Sequence, residues 1–284
     1  MEFFINQLFN GLSYAALLFL MAGGLTLIFG VMKIVNIAQG SFFLLGGYVG
    51  YTVVSLTGNY YLGFLSGVIA VGLLGILVEH FLLNDLANEN LRMMLITTGI
   101  ALFLQDLCLL LWEGNPLILN APVYLNTIIK VGRYNFAAFR LFMIGAATLL
   151  FLLLLWFQRS TRVGSMVRAA VDNPEIAEGL GINVNYVKLG VFALGACLSG
   201  FGGVIGGSFM GLYPGLDFEL LPYAFVVVVV GGMGNLTGAL VGSIIVGIVD
   251  NFGKALFPEI SYFTLFAPMA IVLAWRPTGL FGRK

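Results

Sequence analysis

Side chains able to make or break bonds are sparse in this sequence, and none of them is grouped. There is one histidine, His80, and there are two cysteines, Cys108 and Cys197, all within or beside apolar runs. A nucleophile needs a base within hydrogen-bond reach, and a metal needs several ligands at characteristic spacing. These residues supply neither, so no catalytic residue and no metal ligand is expected. A phosphate-cradling loop of the form G-x-x-x-x-G-K-[ST] is missing as well. Gly253-Lys254 is followed by Ala255, and Ile248 occupies the place of the first glycine.

The residues that do carry a pattern point to mechanical work. Between Gln158 and Lys188 an apolar chain turns polar, and Val163 to Val171 can form one short helix. Asn173 can then cap a second helix, with Pro174 at its first position, Glu175 favouring its positive end and Gly181 able to stop it. That second helix puts Ile176 and Leu180, four apart, on one face with small Ala177 and Gly181 beside them. Two amphipathic helices hinged at Asp172-Asn173-Pro174 make a surface on which a soluble motor can press. The alternative for such a face is to lie on lipid.

The elements that must position this hairpin follow from composition. With 60% hydrophobic residues, 9% charged residues and a mean hydropathy of +1.02, the chain is far more apolar than a soluble domain. Its 13 basic and 13 acidic residues balance, which gives nucleic-acid binding no support. The expected fold is an all-α, polytopic transmembrane bundle, one transmembrane domain over residues 1–284 with a cytoplasmic loop over 158–188. A helix needs about 20 apolar residues to cross the bilayer, which suggests about eight or nine segments. Approximate spans are Phe9–Val31, Ser41–Leu56, Tyr61–Leu83, Met93–Trp112, Phe139–Phe157, Leu189–Met210, Pro222–Gly231, Leu236–Val249 and Phe263–Trp275. The seventh is short and ends at Gly231-Gly-Met-Gly-Asn235, as a half-helix with its backbone break buried in protein would. The amino terminus lacks a basic stretch and a small-residue cleavage site, so the first apolar segment is expected to be retained.

Orientation follows from basic residues in short loops. Arg159, Arg162, Arg168 and Lys188 place the hairpin in the cytoplasm, and Arg276, Arg283 and Lys284 place the carboxyl end there too. The loop from Glu113 to Ala138, with Lys130 and Arg133, argues against this arrangement. Small residues recur every fourth position in Gly195, Ser199, Gly203, Gly207 and Gly211, and again in Gly234, Gly238 and Gly242. Such rows let membrane helices approach closely. Polar residues inside apolar segments are costly in lipid and should face protein or water. Asn36, Gln39, Thr97, Thr98 and Gln105 are therefore candidates for a translocation pathway, with helix-to-helix bonding as their structural alternative. Asp106 suits an interface with water, and Glu79 and His80 mark the inner boundary. Asp217 and Glu219, on an expected outer loop, are candidates for contact with an external protein.

Several runs together resemble one family. Gly164, Arg168-Ala169, Asn173, Ala177, Leu180-Gly-Ile-Asn-Val184 and Lys188 are similar to the coupling-loop signature of branched-chain amino-acid ABC-importer permeases. Asn36-Ile-Ala-Gln-Gly40 with Gly46-Gly-Tyr-Val49 resembles that family's Asn-Phe-Ala-His-Gly segment, and Leu95-Ile-Thr-Thr98 through Gln105 its fourth helix. Gly231-Gly-Met-Gly-Asn235 and Arg276-Pro-Thr-Gly-Leu280 extend the likeness over nearly the whole chain. Two departures stand out: Gln39 replaces the usual histidine, and the stretch after Glu79-His80 lacks the family's arginines.

The resemblance implies one half of a pathway in a bacterial or archaeal cytoplasmic membrane. Its partners would be a second permease, similar or identical, two cytoplasmic ABC ATPases and an external solute-binding protein. ATP and Mg would be used by the ATPases, and this chain would hold no cofactor. It would contact the motor through Arg168, Ala169, Asn173, Pro174, Glu175, Ala177, Leu180 and Gly181. The implied cargo is a branched-chain or other small amino acid, with urea, short amides and small aromatic acids as alternatives. A sugar permease of the same superfamily is a rival. A stand-alone carrier or channel is another, although the chain has few intramembrane charges and no visible inverted repeat.

Overall fold

The computed structural model describes residues 2–86, 89–131 and 134–282. Nine helices correspond to the nine expected segments: α1 (Glu2–Met32), α2 (Gln39–Thr57), α3 (Tyr60–Val78), α4 (Asn90–Trp112), α5 (Ala138–Ser160), α8 (Val184–Phe209), α9 (Leu216–Gly231), α10 (Leu236–Leu256) and α11 (Ser261–Trp275). Between α5 and α8 lie the hairpin helices α6 (Arg162–Asp172) and α7 (Pro174–Gly179). Seven described helices are long and apolar enough to cross a membrane, and α9 and α11 are shorter. Arg133, Arg283 and Lys284, used above for orientation, lie outside the described residues.

At 31 residues α1 is roughly 46 Å long at 1.5 Å per residue, more than the hydrocarbon thickness demands. Its Ala15–Ala22 stretch is shielded from lipid by α5, α8, α9 and α10, so it forms the bundle's axis. α2 and α3 pack on α8, while α4, α5 and α11 present broad apolar faces outward. The small-residue rows allow this packing. A Cβ added at Gly46 in α2 would lie 2.6 Å from the Gly200 Cα in α8, so the two backbones are in direct contact. The row on α8 ends sooner than expected. Gly211 lies beyond the last helical residue with φ +83°, and Gly234 precedes α10.

Two further elements differ from expectation. Ile128–Val131 and Tyr134–Ala137 form an antiparallel pair, β1 and β2, with Lys130 opposite Asn135. This hairpin, in the connection between α4 and α5, departs from the all-α expectation. Nearby, Leu117 and Leu212 exchange backbone hydrogen bonds of 2.8 and 2.7 Å, which ties the α4–α5 connection to the α8–α9 connection. α9 also begins six residues earlier than expected, after Pro214-Gly215, where Gly215 adopts φ +95°.

Candidate functional site

The hairpin is built from local rules. Thr161 caps α6 by accepting a hydrogen bond from Gly164 N–H at 2.9 Å, and Asn173 caps α7 by accepting from Ile176 N–H at 3.1 Å. Pro174 opens α7, where its missing N–H costs nothing. After α7, Gly181 at φ +85° reverses the chain, and Ile182 N–H donates back to the Ala177 carbonyl at 3.0 Å. Gly164, Val167 and Ala170 turn inward and fasten α6 to the bundle.

Of the residues assigned to motor contact, Arg168, Asn173, Pro174, Glu175, Leu180 and Gly181 are exposed, and Ala169 is half-buried. Ile176 and Leu180 are 62% and 75% exposed, so the apolar face of α7 is unsatisfied by its own chain. Ala177 is the correction. It is 1% exposed and belongs to the hydrophobic core, so it is a packing residue rather than a docking residue. A helix one and a half turns long has one inner face, and Ala177 occupies it.

The polar pathway candidates divide in two. Asn36, Gln39 and Thr97 are fully enclosed within the chain and make bonds between its elements. Asn36 Nδ2 donates to Gln39 Oε1 at 3.2 Å, and Asn36 Oδ1 accepts from Ala38 N–H at 3.2 Å. Gln39 Nε2 reaches the Gly195 carbonyl in α8 at 3.0 Å and the Met21 carbonyl in α1 at 3.5 Å. Thr97 Oγ1 accepts from Ile37 N–H at 3.4 Å and donates to Met94 O at 3.0 Å. Asn36 and Thr97 thus satisfy amides of the non-helical backbone between α1 and α2, and Gln39, where α2 begins, lies beside Met21 and Gly24, well inside α1. Thr98 and Gln105 are only half-buried and keep accessible surface.

Asp217 is also corrected. It lies in the first turn of α9 rather than in a loop, is 1% exposed, and accepts from Ser41 Oγ at 2.8 Å. Ser41 and Gly40 open α2, and a Cβ at Gly40 would come within 2.6 Å of the Asp217 carbonyl oxygen. The starts of α2 and α9 therefore meet, and the acidic side chain complements their positive ends. An external protein cannot touch it there. Glu219 is exposed and accepts from Tyr213 Oη at 2.6 Å. Burial first, then the Glu219 carboxylate, pushes the Tyr213 hydroxyl up to about 12, so it remains a donor.

A second charged group is not among the residues singled out from the sequence. Asp250 and Lys254 on α10 pair at 2.7 Å, and Lys254 Nζ donates to Tyr223 Oη at 3.1 Å while lying over the Tyr14 and Tyr223 rings. Their four-residue spacing on an apolar helix is the signal that would have found them. Among the described residues no cluster of His, Cys, Asp or Glu is able to hold a metal ion.

Comparison with known proteins sets this geometry in a family. Residues 7–273 match the profile of the family described as Branched-chain amino acid transport system / permease component. The chain is 29% identical to the high-affinity branched-chain amino acid transport system permease protein LivH of Salmonella typhimurium, over 99% of this chain and 96% of that protein. It is 27% identical to BraD of Pseudomonas aeruginosa, over 99% and 96% of the two chains. It is 26% identical to the ribose import permease protein RbsC of Escherichia coli, over 95% and 84%. In three dimensions it is similar to a chain of PsaBC from Streptococcus pneumoniae in complex with Fab, with a TM-score of 0.50 at 14% identity, covering 94% of this chain and 92% of that one. That likeness concerns the fold alone.

Proposed function

This chain belongs to the family of permease components of branched-chain amino-acid transport systems, and from that premise we propose that it forms half of the translocation pathway of a binding-protein-dependent ABC importer. It is a multi-pass membrane protein and a transport subunit by family. In this reading it sits in the cytoplasmic membrane with a second permease, two ATPases that use ATP and Mg, and an external binding protein. The chain itself holds no cofactor.

The carrying observation is the hairpin: α7 is capped at both ends, yet its Ile176 and Leu180 face outward unpaired. A rigid element with a free apolar face is what a groove on an ATPase receives. Arg168, Glu175, Ile176 and Leu180 carry this contact. Closure of the ATPase dimer moves the hairpin, and α6 transmits the movement through Val167 and Ala170 to the bundle. Thr98 and Gln105 are the candidates for pathway lining, and Glu219 for contact with the binding protein.

The cargo is a branched-chain or other small amino acid, an assignment supported by the family and by the LivH and BraD relatives. Reconstitution of the assembled complex with its binding protein tests this. ATP-dependent accumulation of leucine, and none of ribose, is expected. Accumulation of ribose alone would move the chain to the sugar permeases, and leucine flux at full rate without the ATPases would end the importer reading.

A further inference from the structure

Beside the hairpin, at the same end of the bundle, a cavity of about 330 Å³ lies among the end of α1, the segment after α3, the start of α4 and the first residue of α7. Its polar lining consists of Lys33, Glu79, Asn84, Asn90 and Lys188, and Pro174 closes one side. Glu79 is 1% exposed, and its Oε1 has no hydrogen-bond partner among the described residues. A buried carboxylate oxygen without a donor is rare in folded proteins, so a donor from outside the chain is called for. Lys33 and Lys188 line the same cavity and bring two ammonium-bearing side chains to it.

The backbone around the cavity is unusual in two places. Lys33 has φ +57°, a conformation that few non-glycine residues adopt. Glu79–Leu83 forms a π-helical turn, a widening found frequently at functional sites. The turn lies between α3 and the loop that leads to α4, and it carries Glu79 at its start.

We propose that this cavity binds a small zwitterion, an α-amino acid of the imported class, with its ammonium on Glu79 and its carboxylate on Lys33 and Lys188. An anion alone would be repelled by the buried Glu79, and a cation alone would face two lysines. A molecule that carries both charges a few ångströms apart satisfies all three. The volume lies at the small end of ligand pockets. Because Pro174 is both a wall of the cavity and the first residue of α7, occupancy bears directly on the docking helix. Accumulated cargo on the inner side would therefore restrain the motor. The choice of an amino acid rests on the function proposed above.

The test uses the complex of this chain with its partner permease and ATPases, without binding protein, and measures equilibrium binding of radiolabelled leucine. Saturable binding is expected, weakened at least tenfold by Glu79→Gln and at least tenfold by Lys33→Gln combined with Lys188→Gln. In vesicles, leucine preloaded on the ATPase side should slow native uptake at least threefold and slow Glu79→Gln uptake less. No saturable binding, equal binding by Glu79→Gln, or displacement of leucine by phosphatidylethanolamine in the vesicle would each overturn the proposal. A complex that imports leucine yet shows no Glu79-dependent binding keeps the proposed function and loses this site. One that binds leucine through Glu79 yet imports no amino acid keeps the site and loses the cargo assignment.

Discussion

The α1–α2–α8 junction and the α6–α7 hairpin use the same kinds of residue to opposite ends. In the junction, Asn36 and Gln39 are turned inward, Asn36 bonding the backbone break and Gln39 bonding carbonyls of α8 and α1, and Gly46 lets α2 touch α8. In the hairpin, Asn173 caps a helix at the surface, and Ile176 and Leu180 are left uncovered. The first region resists change because its helix backbones touch and its buried amides are bonded within the chain. The second is stable as a local unit but unfinished as a surface, which is what a docking element requires.

Substitutions sharpen that contrast, and their cost to the subunit should fall from core to tip. Gly46→Leu forces a side chain against Gly200 and should cost about 3 kcal/mol or more, the upper range for overpacking; size-exclusion chromatography should show little monodisperse protein. Gln39→Leu leaves Asn36 Nδ2 without its acceptor and should cost about 1–3 kcal/mol, read as a lowered melting temperature in detergent. Asn173→Ala removes the α7 cap and should cost about 1 kcal/mol, visible as faster local hydrogen exchange over 174–182 with the bundle unaffected. Leu180→Asp, at an exposed site, should change stability by about 0.5 kcal/mol at most. Its effect lies in function: uptake by the assembled complex should fall at least tenfold. If Leu180→Asp destabilised the subunit as much as Gln39→Leu does, the two regions would not differ in kind.

The hairpin was legible in the sequence because its rules are local. Val163–Val171 was expected as a helix and Arg162–Asp172 is found, and the Asn-Pro start and glycine stop lie within a few residues of what they control. Ala177 was misplaced because its burial depends on which face of α7 meets the bundle, a fact of tertiary packing. Asp217 was misplaced for a different reason. Pro214-Gly215 followed by acidic residues is itself a helix-start signal, but the apolar run from Pro222 drew the boundary inward. Most span ends lie within a few residues of expectation because apolar length is a strong signal, but α1 begins seven residues early, α9 six residues early and α10 ends seven residues late, where the added turns are mixed in polarity. Asn36 and Gln39 could be identified as costly in lipid, but the choice between pathway and scaffold needed the positions of Met21 and Gly195, distant in sequence.

The central claim is that the outward face of α7 is covered by an ATPase subunit, and Leu180→Cys labelled with a water-soluble maleimide tests it most directly. Labelling should be fast in the isolated permease, where the side chain is 75% exposed, and at least tenfold slower once the ATPases are bound. Equal labelling rates with and without the ATPases would contradict it.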